Sequence, residues 1–256
     1  MQIAPLPPRT GRRWVIEGFT LLRRYPIQLM ALTFLYLLIL MLSTLLPLVG
    51  PFAPMALTPL FAIGMMRAAQ AADQRETPTP QMLFSGFRDD SGRAWKGLLM
   101  LGVANVVSTL AALAFASIAD GGTLLQIATG TIDPQDPALG EGSLVMASLL
   151  FLALYMPIQA ALWYAPMFVA WHKVAPPKAL FFSLVAVLRN KWVFAAYLLS
   201  WLFVAMCVSM MLQAIKLLLG GSPLLMSMVL SPLSLLVLCA LYCSFWPSYR
   251  DVVLGD

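Results

Sequence analysis

Six apolar runs separated by short polar stretches leave this chain few folds to choose from. They lie at 27–46, 52–66, 97–119, 143–171, 192–212 and 223–246. A helix that crosses the hydrocarbon core needs about 20 apolar residues. The second run is short and carries Pro54 and Pro59. The fourth is long enough to tilt or kink around Pro157 and Pro166, and the sixth carries Pro232. Only 11% of the residues are charged, against about 25% in soluble domains. A soluble chain of this composition would expose extended apolar patches. The expected fold is therefore an all-α integral membrane protein, with residues 1–256 as one polytopic domain. Its six transmembrane helices would pair as three hairpins. The first run is too long for a cleaved signal peptide, and no small-residue cleavage site follows it.

The net charge of +5 would suit nucleic acid, but its distribution argues for topology. Basic residues stay on the cytoplasmic side of a bilayer. With six spans, all but Lys216 of the 16 lysines and arginines fall on one side. The loop between the third and fourth runs carries Asp120, Asp133, Asp136 and Glu141 and no base. Both termini are thus expected in the cytoplasm. No nucleic-acid partner is expected.

The segment TGRRWVIEGFTLLRRYP, Thr10–Pro26, precedes the first run. On a helix over 10–25, Trp14, Val15, Gly18, Phe19, Leu21, Leu22 and Tyr25 share one side. Arg12, Arg13, Glu17, Thr20, Arg23 and Arg24 share the other, and only Ile16 is misplaced. Thr10 can cap its start, and Pro26 should end or bend it at Tyr25. Such a helix is expected to lie in the membrane interface, with its aromatic face in the acyl boundary and its arginines at anionic headgroups. The pattern recurs. Trp14 and Tyr25, Phe84 and Trp95, and Phe181 and Trp192 are each eleven positions apart, with bases such as Lys96 and Lys191 beside the second aromatic. Pro80 and Pro177 suit first helical positions. The chain reads as three tandem units, each a cytoplasmic interfacial helix, an outward helix and a proline-bearing return helix.

The basic N-terminal segment, the three hairpins and the closing SYRD, Ser248–Asp251, resemble a family of proteobacterial polytopic inner-membrane proteins without an assigned function. The arrangement is also similar to the membrane domain that accompanies some glycerophosphodiester phosphodiesterases. The resemblance implies a six-helix domain in a bacterial inner membrane and transfers no catalytic residue.

The chemistry-bearing residues are sparse. His172 is the one histidine, so it has no partner histidine for a metal. It is expected as an interfacial residue beside Trp171 and Lys173. Pairing it with Asp89 or Asp90 would be the route to a lipid-directed enzyme. Cys239 and Cys243 lie on one face of the sixth run and Cys207 at a different depth, which disfavours a disulfide; buried cysteines of this kind pack as small apolar groups. Asp133, Asp136 and Glu141 are too loosely spaced for a calcium loop. Small residues Ala104, Ser108, Ala112 and Ala116 form a ridge for close helix packing. Asn105 and Gln159 place amides at depth and are candidates for a polar cavity. No Asp, Glu, Lys or Arg lies clearly inside a run, which weakens a proton-coupled transporter. No enzyme activity, cofactor or metal is expected. The expected function is non-catalytic. Membrane lipids or a protein partner would meet the cytoplasmic basic–aromatic surface of Arg12, Arg13, Trp14, Phe19, Arg23, Arg24, Trp95, Lys96, Lys191 and Trp192. The competing reading is a transporter or channel for a small neutral or amphipathic solute, built on the proline-bearing spans.

Overall fold

A computed structural model describes residues 5–88, 94–128, 131–133, 141–218 and 223–255. Asp89, Asp90, Arg93 and Asp136 lie outside them. Among the described residues the secondary structure is helical throughout, with no strand. The elements are α1 (Arg9–Arg24), α2 (Pro26–Ser43), α3 (Ala53–Asp73), a 3-10 turn at Pro80–Gly86, α4 (Ala94–Asp120), α5 (Thr123–Ala128), α6 (Glu141–Leu162), α7 (Ala165–Ala170), α8 (Pro176–Arg189), α9 (Lys191–Leu218) and α10 (Pro223–Tyr249). A π-type turn, Arg250–Leu254, ends the described chain.

Five stretches are long and apolar enough to cross a membrane: Pro26–Ser43, Ala94–Asp120, Ser143–Ala170, Lys191–Leu217 and Met226–Leu254. The second sequence run is not among them. It became the N-terminal part of α3, which continues through Arg67, Gln70 and Asp73. Protein, rather than lipid, covers much of α3: Leu60, Phe61, Ile63, Met65 and Met66 are all buried. A helix shielded by its neighbours does not need the continuous apolar surface that lipid demands.

Helix ends follow local chemistry. Tyr25 leaves helical geometry (φ −138°, ψ 62°) and Pro26 opens α2, as the pre-proline restriction requires. Proline also opens the 3-10 turn and α8, where its missing N–H costs nothing. Thr10 is not a cap. Helix α1 begins one residue earlier, after Pro8, and Thr10 is buried within it with no capping bond.

The apolar face of α1 is the one the sequence pattern defines: Trp14, Val15, Gly18, Leu21 and Leu22 are buried. What covers it is different. The face packs against α9 and α10 instead of acyl chains. Trp14 is 0% exposed and meets Phe194 and Tyr197 of α9 edge-on, at centroid distances of 5.6 and 5.7 Å. Phe19 packs on Trp201. Because α1 is wedged there, α9 and α10 touch each other little, and the third hairpin is splayed. An apolar gap lined by Val208, Leu230, Val237 and Leu238 separates the second half of α9 from α10.

The other short helical segments behave alike. The 3-10 turn packs on α3, and α8 packs on α6 and α7. Each thus lies on the long helix or helix pair that precedes it, while α1 lies on α9 and α10 at the other end of the chain. Two close approaches need glycine. A Cβ on Gly18 would stand 2.6 Å from the Ala240 carbonyl oxygen, and one on Gly86 would stand 2.2 Å from that of Leu60.

On α4 the buried stripe is Leu98, Leu101, Gly102, Asn105, Thr109, Ala112 and Ala116. Ala112 and Ala116 belong to the packed face. Ala104 and Ser108 are only half-buried at its flank, and the Ser108 hydroxyl donates to the Ala104 carbonyl of its own helix at 2.6 Å. The packing face is centred about one residue away from the expected ridge because Asn105 turns inward.

Replacing Gly18 with Val should push α1 off α10. Overpacking of this kind costs about 1–3 kcal/mol, so thermal unfolding in detergent should start roughly 5 °C lower. Thr20→Ala, on the exposed side of the same helix, should leave the midpoint unchanged.

Candidate functional site

Two features stand out: an ionic clasp that joins the chain's first and last helices, and a cavity between the return helices.

The clasp centres on SYRD. Asp251 is 2% exposed. It accepts from Trp14 Nε1 at 2.8 Å and pairs with Arg13. Arg250 donates to Glu17 at 2.8 Å, to Asp73 at 3.0 Å and to Asp251 at 3.3 Å. Asp73 also accepts from Trp246 Nε1 at 2.9 Å and sits 3.6 Å from Arg24. Arg24 further donates to the Ala72 and Asp73 carbonyls at 3.2 and 3.1 Å. Three arginines thus neutralise three carboxylates drawn from α1, α3 and the end of α10. Buried or half-buried charges need such pairing and bonding to be tolerated. Arg13 and Arg24, expected at lipid headgroups, pair with the protein's own carboxylates while their side chains stay exposed. Trp14, expected in the acyl boundary, is held by Asp251. Arg12 and Arg23 remain exposed, and neither forms an ion pair among the described residues.

Lys96 lies 5.7 Å over the ring of Trp95, and Lys191 lies 5.6 Å over that of Trp192. All four are exposed at the starts of α4 and α9, at matching places in the second and third units. His172 is exposed, and its Nε2 is 2.6 Å from the Tyr249 hydroxyl. Partial burial lowers its pKa from the ordinary value by disfavouring the imidazolium. Its proposed acidic partners Asp89 and Asp90 lie outside the described residues. Cys239 and Cys243 are buried, Cys207 is exposed, and all three are free thiols. Among the described residues no cluster of three or more His, Cys, Asp or Glu could hold a metal ion.

The cavity measures about 260 Å³. A void of about 150 Å³ is enough to hold benzene. Its walls are Tyr36 of α2; Thr58, Pro59, Ala62, Met65 and Met66 of α3; Asn105 of α4; Gln159 and Leu162 of α6; Trp163, Tyr164, Pro166 and Met167 at the start of α7; and Tyr242 and Phe245 of α10. Proline shapes two of these walls. Pro59 sits inside α3, where it removes a backbone bond and bends the helix. The fourth apolar run breaks at Trp163 and Tyr164, with Pro166 starting α7. Ser183 of α8 repairs that break. Its hydroxyl donates to the Ala160 carbonyl at 2.8 Å and accepts from the Tyr164 N–H at 2.9 Å. A broken helix at depth is tolerated only where freed backbone groups find partners or face a cavity.

Asn105 and Gln159 meet here. Gln159 Nε2 donates to Asn105 Oδ1 at 3.2 Å. That bond uses one of the four amide N–H donors the pair carries. The hydroxyls of Tyr36 and Tyr242 lie 3.4 Å apart. Among the described residues no Asp, Glu, Lys, Arg or His lines the cavity. A charged guest would be left uncompensated, whereas a neutral one with a hydrogen-bonding group is accommodated. The sequence singled out Asn105 and Gln159. It did not single out Tyr36, Tyr242 or Ser183, whose roles depend on which helices become neighbours.

Asp251→Asn should lower unfolding stability by about 3 kcal/mol, because it removes the buried anion of the clasp: Arg13 keeps only Glu17, Arg250 keeps Glu17 and Asp73, and the Trp14 indole N–H loses its charged acceptor. In a double-mutant cycle with Arg13→Gln the losses should be clearly less than additive. Additive losses would mean that the two side chains are not coupled.

No protein-family model matches this chain, and no solved structure matches it. A curated relative, a probable inner membrane protein of Burkholderia thailandensis, is 39% identical over 254 residues, which cover 98% of this chain and 93% of the relative. The chain belongs to the same family of probable inner membrane proteins as that relative.

Proposed function

We propose that this protein binds a small neutral or amphipathic molecule in its central cavity and carries it through the membrane without chemical change. The single observation behind this reading is the Asn105–Gln159 amide pair, set in an apolar cavity between proline-bent α3 and the broken α6–α7. Discontinuous helices commonly build solute sites near the bilayer midplane. An amide pair in such a place offers orientation and specificity without a charge. A lining that holds no carboxylate, amine, guanidinium or imidazole among the described residues favours binding and passage over a reaction.

The reading includes six crossings, with α3 as the second, and both termini in the cytoplasm. At 21 residues and about 1.5 Å per residue, α3 is long enough to cross. It would return the chain to the side where Arg67 and Arg75 join the other bases. Alkaline phosphatase fused after Ala128 should be active outside the membrane, and fused after Arg75 it should be inactive. Activity at Arg75 would remove the sixth crossing.

Lipid or partner contact at the cytoplasmic surface is the second reading. It rests on the cations that the clasp leaves free and on the repeated Lys–Trp pairs at the starts of α4 and α9.

Water access separates a carrier from a packed bundle. In a variant with Cys207, Cys239 and Cys243 replaced by Ala, Ala62→Cys should react with a charged, membrane-impermeant thiol reagent. Labelling is expected in both right-side-out and inverted vesicles. Labelling from neither side would overturn the carrier reading.

A further inference from the structure

We propose that the groove between α1 and α9 binds one anionic glycerophospholipid of the cytoplasmic leaflet, with its phosphate on Arg12 and an acyl chain along Ile16, Phe19 and Phe203. The groove shares no residue with the central cavity, so the two assignments stand or fall separately. Its walls are apolar and open: Ile16 is 54% exposed and Phe203 67%. Apart from Arg12 the one polar residue among the described walls, Ser200, is satisfied by its own helix, donating to the Ala196 carbonyl at 2.7 Å.

Polarity runs along the groove. Arg12 marks the end near the start of α9, since its neighbour Gly11 abuts Val193 and Tyr197. Phe203 lies about two turns further along α9, on the hydrocarbon side. Arg12 is also the groove's only charge. Arg13 beside it is neutralised by Glu17 and Asp251, whereas Arg12 has no anion among the described residues. A cation at the membrane surface, followed by an apolar channel leading inward, is complementary to an amphiphile with an anionic head. A docked protein helix would have to bring its own carboxylate to Arg12, and nothing in the groove would bond its backbone. A zwitterionic lipid would leave the guanidinium competing with the lipid's own cation.

Native mass spectrometry of the detergent-purified protein with phosphatidylglycerol and phosphatidylcholine of identical acyl chains tests this. The wild type should retain phosphatidylglycerol about fivefold more tightly, the share of one basic residue near an anionic surface. Arg12→Gln should erase that preference while keeping the wild-type melting temperature, because Arg12 is exposed and unpaired. Arg23→Gln, at the far end of α1, should keep the preference. Loss of preference in both variants would mean diffuse surface attraction and overturn the site. So would a preference that survives Arg12→Gln, or none in the wild type. Oleate at equal concentration should not displace the phospholipid; displacement would show that any anionic chain suffices and overturn the phospholipid assignment.

Discussion

Asp251 is a buried carboxylate just past the end of α10, and a carboxylate buried there needs partners. Removing one partner of a buried pair costs about 3–5 kcal/mol. Two of its partners, Arg13 and Trp14, come from α1, so the C-terminal turn dictates where the first helix must sit. That placement wedges α1 between α9 and α10 and makes α1 the principal contact holding α9 to the bundle. It also brings Glu17 and Arg24 to Arg250 and Asp73, which fixes the end of α3. The ends of the first and third return helices are thereby held in one charge-balanced assembly.

The cavity inherits its shape from that assembly. Tyr242 and Phe245 belong to the segment of α10 that α1 braces, and Met65 and Met66 to the segment of α3 that ends at Asp73. The remaining wall is kept open by Ser183, which supplies both halves of the bond lost where the fourth run breaks. A single hydroxyl thus lets a helix stay interrupted at depth, and the interruption places Gln159 opposite Asn105. Asn105 itself faces inward because α4 presents it between Leu101 and Ala112, on the stripe that meets α3 and α6.

Periodicity and proline were sufficient to place the helices. The ends of α1 and α2 at Tyr25 and Pro26, the kinks at Pro59 and Pro166, and the inward amides follow from local rules. Neighbours were harder to read. The pattern around Trp14 defines an apolar face, but lipid and protein are equally apolar to a periodicity argument. The difference lies in Gly11 and Gly18, two small residues seven positions apart on that face, whose value shows only when α9 and α10 are close. Likewise Arg13 and Arg24 look like headgroup contacts until Asp251 and Asp73, distant in sequence, are placed beside them. The short second run is the hard case: α3 carries it on to Asp73 under a cover of protein, so its polar end falls outside a criterion built on apolar length.

The wedge also sets an order of events during synthesis. Helix α1 emerges from the ribosome first, but both walls of its seat are translated last. Until then its tryptophan face and Arg13 lack the partners that hold them in the folded chain. An amphipathic segment of this kind is suited to rest on a bilayer surface while the six longer helices are made. The clasp therefore cannot close until the turn that carries Asp251 has been made.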